Sequence, residues 1–245
     1  MPRFFIHMAY DGTDYCGWQV QPNGKSVQQV TENALSTLLK QEVKVTGAGR
    51  TDTGVHASYF MAHFEVDSNP ATEQFVFKLN RFLPQDIVVY RIFSVPEDLH
   101  ARFSARSRTY HYHFSTLKPL YTRNYTNYIY GSLDTREINR CCEIIKATTD
   151  FTSFSKLHTD VRTNNCYVTR ANWKVVDHGY LFEIQADRFL RNMVRSLVGT
   201  LLNVGLGKLD LVGFQNIVKA KDRSKAGQSA PAQGLFLVGI EYDGL

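Results

Sequence analysis

The stretch that decides the fold is residues 26–67, which read SVQQVTENALSTLLKQEVKVTGAGRTDTGVHASYFMAHFEVD. Apolar residues recur at helical spacing over 26–41, and Ser26 stands where a helix N-cap is expected. A short strand is predicted over 42–48 and a longer one over 57–67, with a glycine-rich loop between them. A helix followed by two strands in this order indicates part of an α+β unit.

Extending outward, the pattern predicts strands over 3–12 and 86–95 and a helix over 71–83. With residues 26–67, the first half of the chain has the order β-α-β-β-α-β. The second half repeats this order, with a predicted strand at 107–116, a helix at 136–147, a hairpin at 167–187, a helix at 190–205 and a strand at 234–243.

This repetition predicts an α+β fold of two ferredoxin-like halves, 1–105 and 106–245. We expect the two sheets to join around a central cleft. The two halves share no sequence identity, so the prediction depends on the order of the elements.

The composition indicates a soluble cytoplasmic protein without a membrane partner. Hydrophobic residues make up 43% of the chain, which is enough for a sizeable core. No apolar run reaches about 18 residues, and the N-terminus turns polar too early for a signal peptide. The four cysteines form no CxxC pair and the histidines show no ligand spacing, so we expect reduced thiols and no metal.

The net charge of +5 is distributed unevenly. Residues 1–105 carry 9 basic and 11 acidic side chains, whereas residues 106–245 carry 19 basic and 12 acidic ones. This asymmetry favours an acidic partner, with nucleic acid the first candidate, because clustered cations release counterions from a phosphate backbone. A basic surface without a specific partner explains the charge equally well.

The loop GAGRTDTGVHA (47–57) contains an Asp-Thr-Gly triplet around Asp52. An aspartic protease needs two such carboxylates, whereas this chain has one triplet and is too long for a protomer of the dimeric form. A phosphate-binding loop is weakly indicated, because neither common glycine motif is present. Asp52 is therefore either a nucleophile or base, kept ionised by Arg50, or an ordinary turn residue.

Helix 190–205 carries a continuous apolar stripe, and Arg191 and Arg195 lie along one margin of it. A partly buried guanidinium needs an anionic partner, because desolvating it without one is costly. Alternatively, both side chains lay their stems along the core and keep their charged ends in water.

Two further segments combine features of an RNA-binding surface. RFSARSRTYHYHF (102–114) interleaves cations, among them Arg106 and Arg108, with aromatic residues that include Tyr110. The alternative is a strand with one core face and one wet face, and Tyr110 fits that description less well than Tyr112. The segment 219–234 is a solvated loop or a phosphate contact, with Lys219, Lys221 and Arg223 as candidates.

Five blocks spread over nearly the whole chain resemble the tRNA pseudouridine synthase A family. They are AYDGTDYCGWQVQPNGKSVQ (9–28), GAGRTDTGVHA (47–57), ARFSARSRTYHYHF (101–114), FLRNMVRSLVGTLLNVG (189–205) and APAQGLFLV (230–238). The resemblance implies isomerisation of uridine to pseudouridine at positions 38–40 of the tRNA anticodon stem-loop, without a cofactor or metal. It also implies a homodimer whose tRNA contacts both subunits, with the catalytic loop in residues 1–105 and the basic RNA-binding surface in residues 106–245.

The resemblance assigns roles to four residues. Asp52 is the catalytic aspartate, Tyr110 the active-site tyrosine, Arg195 the arginine that pairs with the aspartate, and Arg50 the loop arginine associated with base flipping. The sequence departs from the family at LNRFLPQDI (79–87), where a small residue is more usual between the asparagine and Leu-Pro.

The chemistry leaves two routes open for Asp52, which could attack C1′ of the ribose directly or remove a ribose proton to give a glycal. The competing class of function is a non-catalytic RNA-binding module with a basic, aromatic cleft. A carboxylate in such a surface would repel phosphate, so Asp52 is the residue that distinguishes the two.

Overall fold

A computed structural model describes residues 1–22, 24–156 and 163–245. The chain forms two compact units, Met1–Arg106 with Leu237–Leu245, and Ser107–Phe236. The strands in the described ranges are β1 (Arg3–Tyr10), β2 (Thr46–Gly47), β3 (His56–Glu65), β4 (Ile87–Val95), β5 (Ala105–Ser115), β6 (Asn127–Tyr128), β7 (Val168–Val176), β8 (Gly179–Ala186) and β9 (Leu235–Tyr242). The α-helices there are α1 (Val27–Leu39), α2 (Glu73–Phe82), α3 (Thr135–Ala147), α4 (Met193–Gly205) and α5 (Leu211–Ala220). The predicted α+β class is confirmed.

In the first unit the strands have the order β4-β1-β3-β9, and β2 pairs with β3. β1 runs antiparallel to both β3 and β4, and β2 runs antiparallel to β3. The predicted order β-α-β-β-α-β is confirmed for this part of the chain. Phe4, Phe5 and Ile6 of β1, which lies between β4 and β3, are all buried, and because successive side chains point to opposite faces, both faces of the sheet are covered there.

Helix α1 begins where the sequence predicts. The Ser26 side chain accepts a hydrogen bond from the backbone N–H of Gln29, as an N-cap does. Val27, Ala34 and Leu35 are buried, which places the predicted apolar face of the helix against the core.

The strand predicted over 42–48 is wrong in extent, because only Thr46–Gly47 pair with β3. The preceding backbone is instead bonded to side chains of α1. Glu32 accepts from the N–H of Val45 at 2.9 Å, and Gln28 donates to the carbonyl of Val45 at 2.9 Å. Polar side chains one helical turn apart thus replace the ladder that a strand would have provided.

In the second unit the sheet order is β5-β8-β7, with β6 parallel to the end of β5. The predicted hairpin is confirmed as β7 and β8, which pair antiparallel. Helix α4 starts at Met193, later than predicted, because Asn192 has a left-handed backbone (φ 65°) and donates through its side chain to Ser229. Helix α5 was not predicted.

Candidate active site

The loop after β2 holds Asp52 beside a buried threonine. The hydroxyl of Thr51 accepts a hydrogen bond from the backbone N–H of Trp18 at 3.1 Å and bonds the hydroxyl of Tyr10 at 3.0 Å. On the other side of Asp52, its own carbonyl accepts from the N–H of Val55 at 3.1 Å. Asp52 is half-buried, so its carboxylate sits on a backbone fixed at both sides.

The segment containing Gly17 and Trp18 forms one wall of this loop. Gly17 has a φ of +89°, and a Cβ there would lie 2.2 Å from the carbonyl oxygen of Thr51. A Cβ on Gly47 would lie 2.4 Å from the indole nitrogen of Trp18. These close contacts explain why glycine occupies both positions, and they join the block 9–28 to the loop that carries Asp52.

Arg50 is exposed at the surface of the same loop. Within the described part of the chain it makes no hydrogen bond or ion pair, so its guanidinium is available to a ligand. It lies two residues from Asp52, and the pair provides a cation and a carboxylate on one short loop.

Tyr110 lies in the second unit, on β5 opposite Ile184 of β8. The ring of Phe189 meets it edge-on, with 5.1 Å between centroids. Tyr112 on the same strand face is buried, and its hydroxyl donates to the carbonyl of Pro231 at 2.7 Å. Burial raises the pKa of Tyr112. Tyr110 is only half-buried, which leaves part of its ring accessible to a ligand.

Arg195 lies on α4 in the second unit and is also half-buried. Its side-chain Nε donates to the carbonyl of Ala230 at 2.8 Å, and the N–H of Ala230 donates back to the carbonyl of Arg195 at 2.9 Å. The reciprocal bonds fix the root of the guanidinium against the backbone of Ala230. Arg191 is exposed and precedes the helix, so the margin predicted for both arginines holds only Arg195.

Several of the predicted RNA-binding cations are engaged within the protein. Arg106 bonds Asp243, with Nε 2.6 Å from the carboxylate, and this contact lowers the pKa of Asp243. Arg108 donates to the carbonyl of Asp187 at 2.8 Å. Because these two arginines have partners within the protein, they are poorer candidates for phosphate contacts than the sequence indicates.

Two of the three candidate cations in the segment 219–234 also have partners within the protein. Lys221 forms an ion pair of 2.8 Å with Asp150, and Arg223 donates to Ser229 at 2.9 Å and to nearby backbone carbonyls. Lys219 is exposed. The loop is tied to α4 as well, since the N–H of Gly227 donates to the Thr200 hydroxyl at 2.9 Å.

Sequence reasoning missed the residues that position the candidates. Trp18 and Tyr10 clamp Thr51, and Phe189 contacts Tyr110. The available signal was the composition of the blocks 9–28 and 189–205, which carry these residues beside the motifs. No group of three potential metal ligands occurs among the described residues, and no helix there is long and apolar enough for a membrane span.

Comparison with known proteins gives a match over most of the chain. A family model described as tRNA pseudouridine synthase matches residues 6–104 and 147–243. A protein of Bacteroides thetaiotaomicron named tRNA pseudouridine synthase A is 53% identical over 245 residues, covering 99% of this chain and 91% of that protein. Proteins of the same name from Bacteroides fragilis and Ruminiclostridium cellulolyticum are 51% and 39% identical, covering 98% and 99% of this chain and 96% and 100% of their own lengths.

Both matched segments contain candidate residues, since Asp52 falls in the first and Arg195 in the second. The extent of the match and the identity of the relatives leave one assignment: this chain belongs to the tRNA pseudouridine synthase family.

Proposed function

We propose that this protein isomerises uridine to pseudouridine in tRNA, at positions 38–40 of the anticodon stem-loop. The observation that carries the proposal is the loop around Asp52, where the Thr51 clamp holds a half-buried carboxylate next to an exposed Arg50. The family membership of the chain supports the same reaction. The relatives' names indicate an enzyme and give no support to a non-catalytic RNA-binding module.

The reaction breaks the bond between N1 and C1′, turns the uracil and joins C5 to C1′. No atom is lost, because the proton released from C5 is replaced by one taken up at N1. Asp52 either attacks C1′ or removes a ribose proton to give a glycal, and both routes need an ionised carboxylate. The rigid loop would hold that carboxylate at one position relative to the sugar.

Tyr110 and Arg195 complete the proposed site. Tyr110 would stack on the uracil and assist removal of the C5 proton, because its ring is partly open and oriented by Phe189. Arg195 would pair with Asp52 and hold it ionised. Arg50 would occupy the space of the extruded nucleotide, since the bond to be broken is inaccessible inside a stacked stem.

The proposed partners are tRNA and a second copy of the chain, in the cytoplasm. Of the candidate cations of segment 219–234, Lys219 is the most readily available for a phosphate contact, because it is exposed and forms no ion pair among the described residues. Arg106, Lys221 and Arg223 would have to exchange their internal contacts for phosphate oxygens to take part in binding.

The test is release of tritium from tRNA labelled at uridine C5, because the isomerisation exchanges that hydrogen with water. We expect release with unmodified tRNA and none with a tRNA in which cytidine replaces the uridines at positions 38–40. Absence of release from the unmodified tRNA would overturn the proposed reaction, and equal release from both would overturn the assigned positions.

A further inference from the structure

Helix α2 has an outward face that the fold does not use. On its inner side Leu79 is buried, and the Asn80 side chain bonds both backbone groups of Val89 on β4, at 2.7 and 2.8 Å. On its outer side Phe77 is 61% exposed and Phe82 is 52% exposed. The inner contacts dock the helix, whereas more than half of each phenylalanine remains exposed.

Cations lie between these phenylalanines. At 3.6 residues per turn, one arc of about 140° contains Phe77, Arg81, Gln74, Lys78 and Phe82, in that order, and we call these five residues the α2 face. All five are exposed. The Arg81 guanidinium lies 5.9 Å from the centroid of the Phe77 ring. The α2 face contains no carboxylate.

Lys78 and Arg81 differ from the cations that the sequence predicts as RNA contacts. Neither forms an ion pair within the parts of the chain that the structure describes, whereas Arg106 and Lys221 both do. Their charges can therefore attract a polyanion without first breaking an ion pair.

The combination of rings and cations selects one kind of occupant. An apolar protein surface would bury Phe77 and Phe82 but would also desolvate Lys78 and Arg81 without compensation, which is costly. RNA satisfies both, because bases stack on aromatic rings and phosphates meet the cations.

We propose that the α2 face binds an unpaired or looped segment of the tRNA substrate. It acts as an RNA contact separate from the residues assigned to catalysis, and this inference rests on the proposed action on tRNA. Base stacking on Phe77 and Phe82 supplies affinity, and Lys78 and Arg81 supply a contribution that depends on salt.

The test compares two double variants with the wild-type chain, Phe77→Ala with Phe82→Ala, and Lys78→Ala with Arg81→Ala. The measurements are the Kd for tRNA as a function of salt, kcat and KM from tritium release, and Tm. Alanine at the two phenylalanines should raise Kd and KM by about tenfold per stacked base, with kcat and Tm unchanged. Alanine at the two cations should reduce the slope of log Kd against log salt by roughly 1.4, at about 0.7 for each phosphate contact.

Val212→Ala on α5, where the side chain is 60% exposed, and Lys208→Ala are the matched controls and should leave Kd and the salt slope as in the wild-type chain. Wild-type Kd and salt slope in both double variants would overturn the proposal. So would a change of mass in sedimentation with Kd intact, because the α2 face would then contact protein. If the wild-type chain binds tRNA but releases no tritium, only the proposed reaction is contradicted. If the wild-type chain does not bind tRNA, both the proposed reaction and the proposed contact on the α2 face are contradicted.

Discussion

The backbone N–H of Trp18 donates to the hydroxyl oxygen of Thr51 at 3.1 Å, and the Tyr10 hydroxyl lies 3.0 Å from the same oxygen. Thr51 thereby ties the segment 15–18 and strand β1 to the loop that presents Asp52. The position of the Asp52 carboxylate therefore depends on the hydroxyl of the preceding residue, Thr51. That hydroxyl takes no part in the proposed chemistry.

Thr51→Val should destabilise the chain and lower turnover together. Valine has nearly the same shape but accepts no hydrogen bond, so the buried N–H of Trp18 is left unpaired at a cost of about 1–3 kcal/mol. Urea unfolding and kcat from tritium release measure the two effects. Thr51→Ser, which keeps the hydroxyl, is the control and should retain most of the free energy of unfolding and most of kcat.

Asp52→Asn should abolish pseudouridine formation and leave the Kd for tRNA within about tenfold, because phosphate contacts dominate affinity. Asparagine keeps the size of the side chain and removes the charge that either route requires. Single-turnover tritium release and filter binding check the two parts. Turnover near the wild-type rate would end the assignment of Asp52 as the nucleophile or base.

Arg195→Lys should reduce kcat by at least about tenfold with a small change in Tm. Lysine keeps the charge but lacks the planar fork that grips a carboxylate, and it cannot reproduce the bond from Nε to Ala230 at 2.8 Å in the same geometry. Arg191→Lys, at an exposed position before the helix, is the matched control. Equal kcat in both variants would show that Arg195 does not pair with Asp52.

Gly47→Ala and Gly49→Ala should separate folding from substrate approach on one loop. A Cβ on Gly47 would lie 2.4 Å from the Trp18 indole, so this variant should lose stability by about 1–3 kcal/mol. A Cβ on Gly49 meets no atom within 4 Å, so that variant should unfold as the wild type does. The KM of the Gly49→Ala variant for tRNA then reports whether the tRNA approaches the backbone at residue 49. A lowered Tm in this variant would contradict the open space around Gly49.

Local signals predicted the elements that depend on local interactions. The cap at Ser26 and the hairpin of β7 and β8 are examples, since their determinants lie within a few residues. The strand at 42–48 was overestimated because Glu32 and Gln28, on another element, bind its backbone. Helix α5 was missed because its interior contains Gly213, although Asp210 provides a cap by accepting from the Gly213 N–H at 2.7 Å.

In the candidate site, too, residues on one continuous motif could be predicted, whereas contacts from distant parts of the chain could not. Asp52 and Arg50 were identified because their loop is a continuous motif. The clamp on Thr51 comes from residues 33 and 41 positions away, and no periodicity relates them. Similarly, the return of Leu237–Leu245 to the first unit depends on which strand accepts β9 as a neighbour, and alternation along a strand does not encode that.

Buried His63 should make the protein less stable in acid. The side chain is 7% exposed, and its Nδ1 accepts from the N–H of Ala101 at 3.1 Å. Burial, helped by His100 and Arg3 and opposed by Glu65, lowers the pKa of His63 from 6.5 to about 4. The pKa of His100 is lowered as well, mainly by burial.

Since the unfolded chain takes up a proton at His63 near pH 6.5 and the folded chain does so only near pH 4, the stability from neutral His63 is complete above pH 6.5. It is lost progressively as the pH falls from 6.5 to 4, by up to about 3 kcal/mol in the free energy of unfolding. Urea unfolding at pH 7.5, 5.5 and 4.5 measures this loss. His63→Gln keeps an acceptor for Ala101 without a proton to gain, so its stability should fall less over the same interval. A parallel fall in both proteins would assign the acid sensitivity to other groups.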